Sequence, residues 1–242
     1  MEAIRIQNLT KIYKDTVAVD SLELTIHTGE LFALLGINGA GKTTTIKMLA
    51  CLSKPTAGDA YVMGKSVSKE SQLVKSMIGI SPQETAVAPN LTVLENLELM
   101  CGVYAYDQVD RKERIAELTR QFHLEPILTK RAGKLSGGWQ RRLSIAMALV
   151  GQPQILFLDE PTLGLDVIAR SELWDTIRAL KGNVTIILTT HYMEEAENLS
   201  DRIGIMKNGK LIVQGTAEEL KRAAGKEIFE EAFVALVKGE IV

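Results

Sequence analysis

The chain has 242 residues, of which 46% are hydrophobic and 24% charged, enough apolar content for one sizeable α/β domain with an ordinary soluble surface. Its 28 basic and 30 acidic residues leave a net charge of −2, which argues against a general nucleic-acid binder, since that would need a basic face to neutralise phosphates. The two cysteines, Cys51 and Cys101, sit in apolar stretches without zinc spacing and read as reduced core thiols.

Met1-Glu-Ala-Ile-Arg-Ile lacks the basic and apolar regions of a secretory leader. No apolar run approaches the roughly 20 residues of a membrane-spanning helix, so any membrane part is expected on another chain. Ile4 and Ile6, then Leu22, Leu24 and Ile26, alternate with polar residues and predict half-buried strands. Leu31 to Leu35 is apolar throughout, as in a central strand covered on both faces, and a glycine-rich turn leads to a helix over 44–52. Similar runs recur at 155–158 and 184–188, with a helix carrying Leu173, Ile177 and Leu180 on one face between them. Buried strands alternating with helices predict a wound, mostly parallel sheet.

From about Pro89 to Val150 no such strand occurs. Thr92-Val-Leu-Glu95 is a capping box opening a helix with Leu94, Leu97 and Met100, and Ile115, Leu118 and Phe122 mark another. Asn208-Gly209 predicts a hairpin, and Thr216-Ala-Glu-Glu219 opens a further capped helix. Ile228, Phe229, Ala232, Phe233, Leu236 and Val237 form a final apolar stripe, expected to pack back on the domain. The expected organisation is one domain over 1–242: a sheet-containing core from 1–88 and 151–215, an inserted helical lobe over 89–150, and a short helical tail over 216–242.

Gly36-Ile-Asn38-Gly39-Ala40-Gly41-Lys42-Thr43 matches G-x-x-x-x-G-K-[ST], placed between a buried strand and a helix that opens near Thr44. Glycines let successive N–H groups turn toward phosphate oxygens, and the helix N-terminus adds its partial positive charge. Lys42 supplies a point charge to the β and γ phosphates, and the Thr43 hydroxyl suits Mg²⁺. A structural turn with an exposed lysine would not need strand, turn and helix in this register.

Asp159-Glu160 closes the run 155–158, at the strand end where wound sheets bind ligands. Asp159 suits a magnesium ion and Glu160 suits a general base toward water. The plainer reading, an acidic pair capping a turn, would win without the phosphate loop. His191 ends the third buried run, where its imidazole can reach a γ-phosphate; His27 and His123 have no comparable setting.

Leu135-Ser136-Gly137-Gly138 followed by Trp139-Gln140-Arg141-Arg142 resembles the signature motif of ATP-binding cassette (ABC) proteins, and its place between phosphate loop and acidic pair strengthens the match. The resemblance covers nearly the whole chain. It implies the P-loop NTPase fold with an antiparallel N-terminal β part, ATP and Mg²⁺ as cofactors, and an ATPase driving transport. It implies that Tyr13 stacks on adenine and that Gln83 contacts Mg²⁺ and joins sheet to lobe. Gly164-Leu-Asp166 would communicate across a dimer, and His191 would be the switch histidine. Ser136, Gly137 and Gly138 would complete the ATP site of a second cassette, expected to be an identical subunit, with separate integral membrane subunits carried by the lobes. The protein would sit peripherally on the cytoplasmic face of the cell membrane. Trp139 and Ile37 depart from the usual residues. Thr190-His-Tyr-Met-Glu-Glu-Ala196 and the helix after Gly215 resemble the branch exporting drugs, polysaccharides or sodium. A phosphotransferase would leave the signature unexplained, and a DNA-clamping ATPase would carry long heptad insertions, which this chain lacks. A single-cassette ATPase acting in assembly or repair stays open.

Overall fold

A computed structural model describes residues 1–239, so residues 240–242 of the expected tail lie outside it. The chain begins with two long antiparallel strands, β1 (Glu2–Tyr13) and β2 (Thr16–His27), in register through Ile4 with Ile26 and Ile6 with Leu24. Their alternating residues Ile4, Ile6, Leu22, Leu24 and Ile26 are all buried, as period two requires. The short strand β3 (Leu31–Leu35) follows, then helix α1 (Lys42–Leu49). The helix starts two residues earlier than its apolar pattern predicted, because Gly41 caps it at φ 103° and the N-terminal turn is polar.

Strands β4 (Ala57–Val62) and β5 (Lys65–Ser66) complete a four-stranded antiparallel sheet ordered β2-β1-β4-β5. Helix α2 (Ser71–Met77) runs directly into β6 (Ile78–Ser81). Three helices then intervene: α3 (Val93–Val103), α4 (Gln108–Gln121) and α5 (Gly137–Leu149). The capping box forms as the sequence implies, with Glu95 N–H donating to the Thr92 hydroxyl and Thr92 N–H donating to the Glu95 carboxylate. Strand β7 (Ile155–Asp159), helix α6 (Val167–Leu180), strand β8 (Thr185–Thr190) and helix α7 (Met193–Leu199) return the chain to the sheet.

Strands β9 (Arg202–Lys207) and β10 (Lys210–Gly215) form the hairpin, with Asn208 at φ 49° and Gly209 at φ 79°, the left-handed pair that a tight two-residue turn needs. Helices α8 (Ala217–Ala223) and α9 (Phe229–Lys238) close the described chain. The second sheet is ordered β10-β9-β3-β8-β7-β6, parallel except for β10.

The continuous apolar runs now have a physical reason. Phe32, Leu34, Ile155, Phe157 and Ile187 face a core shared with α1 and the antiparallel sheet. Leu31, Ala33, Leu35, Leu156, Leu158, Ile186 and Leu188 face the opposite core, built with helices α3 to α9. Each strand is covered on both sides, so no position tolerates a polar residue until the strand ends. Small differences from the sequence reading remain: Val184 stays outside β8, Cys51 is only half-buried, and Ile228 is exposed because it precedes α9 rather than lying on its buried stripe.

Candidate nucleotide site

The parallel strands end together, and their carboxyl ends carry the polar residues. After β3 the chain turns at Gly36, whose N–H donates to Thr190 O of the neighbouring strand β8 at 3.3 Å. A Cβ at Gly36 would stand 2.6 Å from Met206 O, and one at Gly41 would stand 2.4 Å from Ala18 O. Both positions therefore need glycine for close backbone approach, and Gly41 needs it also for its conformation. The resulting loop leads into the N-terminus of α1, and residues 38–44 line one cavity at the positive end of that helix.

That cavity, of 580 Å³, is lined by Tyr13, Val17, Ala18, Asn38, Gly39, Ala40, Gly41, Lys42, Thr43, Thr44, Gln83, Glu160 and His191, together with Thr16 and Leu163. Lys42 is 5% exposed. Its Nζ donates to Gly36 O at 2.7 Å and Ile37 O at 3.3 Å, and stands 3.4 Å from Glu160 Oε1. The ammonium is thus held at the mouth of the loop by carbonyl oxygens and one carboxylate.

Glu160 occupies the left-handed region at φ 51°, which is strained for a residue with a side chain. Its N–H donates to Thr189 O and Thr189 Oγ1, each at 3.1 Å, which fixes the strained peptide against β8. The other carboxylate oxygen, Oε2, lies 2.6 Å from His191 Nδ1. Asp159, buried at the last position of β7, accepts from the Thr43 hydroxyl at 3.1 Å and from the Thr189 hydroxyl. Thr43 Oγ1 and Asp159 Oδ1 are therefore adjacent hard oxygen donors beside the phosphate loop.

Tyr13 lies at the rim, 45% exposed, its hydroxyl 3.4 Å from Ser53 Oγ and its ring 4.8 Å from Lys11 Nζ. The Lys11 ammonium thus covers one face of the ring, and Tyr13 lines the cavity at the edge of the antiparallel sheet. Gln83 is also exposed and joins the cavity from the segment after β6.

Ser136, Gly137 and Gly138 are not brought to this cavity. Ser136 and Gly137 are exposed at the start of α5, and the Ser136 side chain caps none of the helix N–H groups. Gly137 instead borders a neighbouring depression shared with Gln83, Gln140, Arg141 and Leu165. Trp139 is half-buried, with the Arg142 guanidinium 4.9 Å over its ring, and Arg142 in turn pairs with Glu172 of α6 at 2.6 Å.

Two features escaped the sequence reading. Thr189 supports both Asp159 and Glu160, although in the sequence it is one polar residue at a strand end. Arg141 is buried and reaches the Gln83 segment; the signal for it was a charge at the helical spacing of Ile145 and Ala148, both buried.

A wound parallel sheet with a glycine loop feeding a buried lysine and a helix N-terminus, beside a strand-end acidic pair, defines a P-loop NTPase. The family model described as ABC transporter matches residues 19–163. The daunorubicin/doxorubicin resistance ATP-binding protein DrrA of Streptomyces peucetius is 42% identical over 227 residues, covering 93% of this chain and 69% of that protein. Nod factor export ATP-binding protein I of Cupriavidus metallidurans is 37% identical over 218 residues, covering 90% and 72%. Among solved structures, an ATP-binding subunit of an ABC transporter superposes with TM-score 0.85 at 28% identity, over 97% of this chain and 99% of the other. A dimeric ATP-binding cassette in a post-hydrolysis state, bound to ADP and Pi, superposes with TM-score 0.79 at 29% identity, over 88% and 98%. The chain belongs to the ABC transporter family and is an ATP-binding, ATP-hydrolysing subunit of such a transporter. Among the described residues, no helix is long and apolar enough to cross a membrane.

Proposed function

We propose that this chain binds MgATP in the 580 Å³ cavity, hydrolyses it with Glu160 as general base, and pairs with a second cassette to drive export through separate membrane subunits. The observation that carries the reading is the convergence of Lys42 Nζ and His191 Nδ1 on the two oxygens of Glu160, beside the phosphate loop.

In this reading Gly36, Asn38, Gly39, Ala40, Gly41 and Thr44 contribute the loop that holds the phosphates, and Lys42 neutralises the β and γ groups. Tyr13 offers its open face to adenine. Glu160 accepts a proton from the attacking water, and His191 holds the carboxylate and reaches the γ-phosphate. Thr43, Asp159 and Gln83 fit a magnesium ion, because they are hard oxygen donors and one carboxylate, and Mg²⁺ takes its remaining ligands from water and phosphate. Among the described residues no larger acidic or histidine cluster stands ready to hold a metal without the nucleotide. When bound, the ion would offset charge on the phosphates.

The exposed, uncommitted N-terminus of α5 supports action in trans: Ser136, Gly137 and Gly138 would meet the nucleotide of an identical partner cassette. Residues 1–88 and 151–215 then act as the catalytic core, 89–150 as the moving lobe, and 216–242 as the short tail, of which helices α8 and α9 pack on that core. The names of the drug-resistance and Nod-factor relatives support export, with the protein held at the cytoplasmic face of the cell membrane by its membrane partners.

The test is phosphate release by the purified chain from ATP, with magnesium and with a chelator, in the absence of any acceptor. Release that requires magnesium supports the reading. ATP consumption only after a small acceptor is added would mean a phosphotransferase and would sink it.

A further inference from the structure

Arg141 lies one turn into α5 and is 4% exposed. Its Nη1 donates to Pro82 O and its Nη2 to Gln83 O, both at 2.6 Å. A buried guanidinium is costly unless its charge and donors are satisfied. Here two main-chain oxygens satisfy the fork, and Asp159 and Glu195 support its charge; burial still pushes the group below its ordinary value. An apolar side chain of similar volume would pack there without that cost. What only the fork does is pin two successive peptide groups of another segment at fixed spacing.

The pinned segment matters because Gln83 borders two sites at once. It lines the cavity containing Lys42 and Thr43, and it also borders the depression with Gly137 and Gln140. Gln140 adds a second tether, with Nε2 donating to Leu135 O at 3.1 Å while Thr85 Oγ1 reaches its Oε1 at 3.5 Å. The start of α5 and the Gln83 segment are thus fastened to each other more directly than either is to the phosphate loop.

We propose that Arg141 is a positioning residue that fixes the Gln83 backbone against the signature-bearing helix, so that the Gln83 amide is presented to the phosphate cavity at a set distance and angle. This rests on the reading of Gln83 as a residue of the MgATP site. The hold is direct: two short charge-assisted hydrogen bonds join α5 to residues 82 and 83.

The experiment compares Arg141→Met, Arg141→Lys, Gln83→Ala and the Arg141→Met/Gln83→Ala double variant by steady-state hydrolysis and by amide hydrogen exchange. In Arg141→Met, kcat is expected to fall about ten-fold or more with KM within about two-fold, the scale of a displaced positioning group. Exchange across 82–88 should rise while the centre of α5 stays protected. Arg141→Lys, which keeps the charge but has a single donor nitrogen in place of the fork, should recover part of both effects and carries both readouts if the methionine variant does not fold. The double variant should be no slower than Gln83→Ala alone. Unchanged exchange across 82–88, or effects of the two single variants that multiply, would overturn the proposal. Should Gln83→Ala hydrolyse ATP normally, the role of Gln83 fails instead, and the exchange result alone then decides whether Arg141 is the lock.

Discussion

His191 Nδ1 and Glu160 Oε2 stand 2.6 Å apart, joining the ends of β8 and β7 across the mouth of the phosphate cavity. With Lys42 Nζ 3.4 Å from the other oxygen, the Glu160 carboxylate has one partner on each side. The backbone that delivers it is left-handed at φ 51°, a conformation costing on the order of 1–3 kcal/mol. Two hydrogen bonds from its N–H to Thr189 offset that strain. The fold thus over-determines the placement of one carboxylate.

His191→Ala should therefore lower kcat on the order of a hundred-fold, the usual loss when one preorganised donor is removed from a reacting centre. KM for ATP should change little, because the loop and Lys42 remain. Steady-state kinetics check this; a large rise in KM with kcat intact would make His191 a binding residue only.

Lys42→Ala should cost about 1.5–3 kcal/mol of nucleotide binding, the value of hydrogen bonds to a charged group, or roughly ten- to a hundred-fold in affinity. Fluorescent-nucleotide titration at fixed salt measures it. Unaltered affinity would contradict the assignment of the 36–43 loop to phosphate binding.

Glu195 is fully buried behind the site, with Trp174 Nε1 donating to its Oε1 at 3.2 Å and the Thr190 and Thr162 side chains beside its carboxyl. Burial pushes its carboxyl above the ordinary range, outweighing the Thr190, Thr162 and Trp174 hydrogen bonds that favour the carboxylate, and the nearby Glu160 adds to the rise. The folded state thus holds this proton more tightly than the unfolded chain does. The stabilisation is full below the unfolded pKa and is lost as pH rises through the higher folded value. Glu195→Gln should be more stable than the parent at neutral pH and should show a flatter decline in stability above the ordinary carboxylate range. Denaturant melts from acid to neutral pH decide it, and parallel curves for the two proteins would show that the buried carboxyl is not the cause.

The phosphate loop, the strand-end acidic pair and both capping boxes were legible in sequence because each is a local device whose residues lie within a few positions of one another. Periodicity located the strands for the same reason. The partners of Arg141 were not legible: Pro82 and Gln83 lie 59 and 58 residues away, and only the packing of α5 against β6 brings them together. Thr189 was hidden likewise, since its contacts with Asp159 and Glu160 exist only once β7 and β8 pair in parallel. Ser136 shows the converse. Its motif was plain in sequence, yet within one chain it does not line the cavity, and the role proposed for it requires a second molecule.

That requirement gives the most direct measurement: the solution mass of Glu160→Gln with and without MgATP, alongside its phosphate release. A monomer that doubles in mass on adding ATP, stays paired and releases no phosphate is the predicted result. Phosphate release at the parent rate would contradict the role of Glu160. A variant that binds ATP and remains monomeric would contradict self-pairing around the nucleotide.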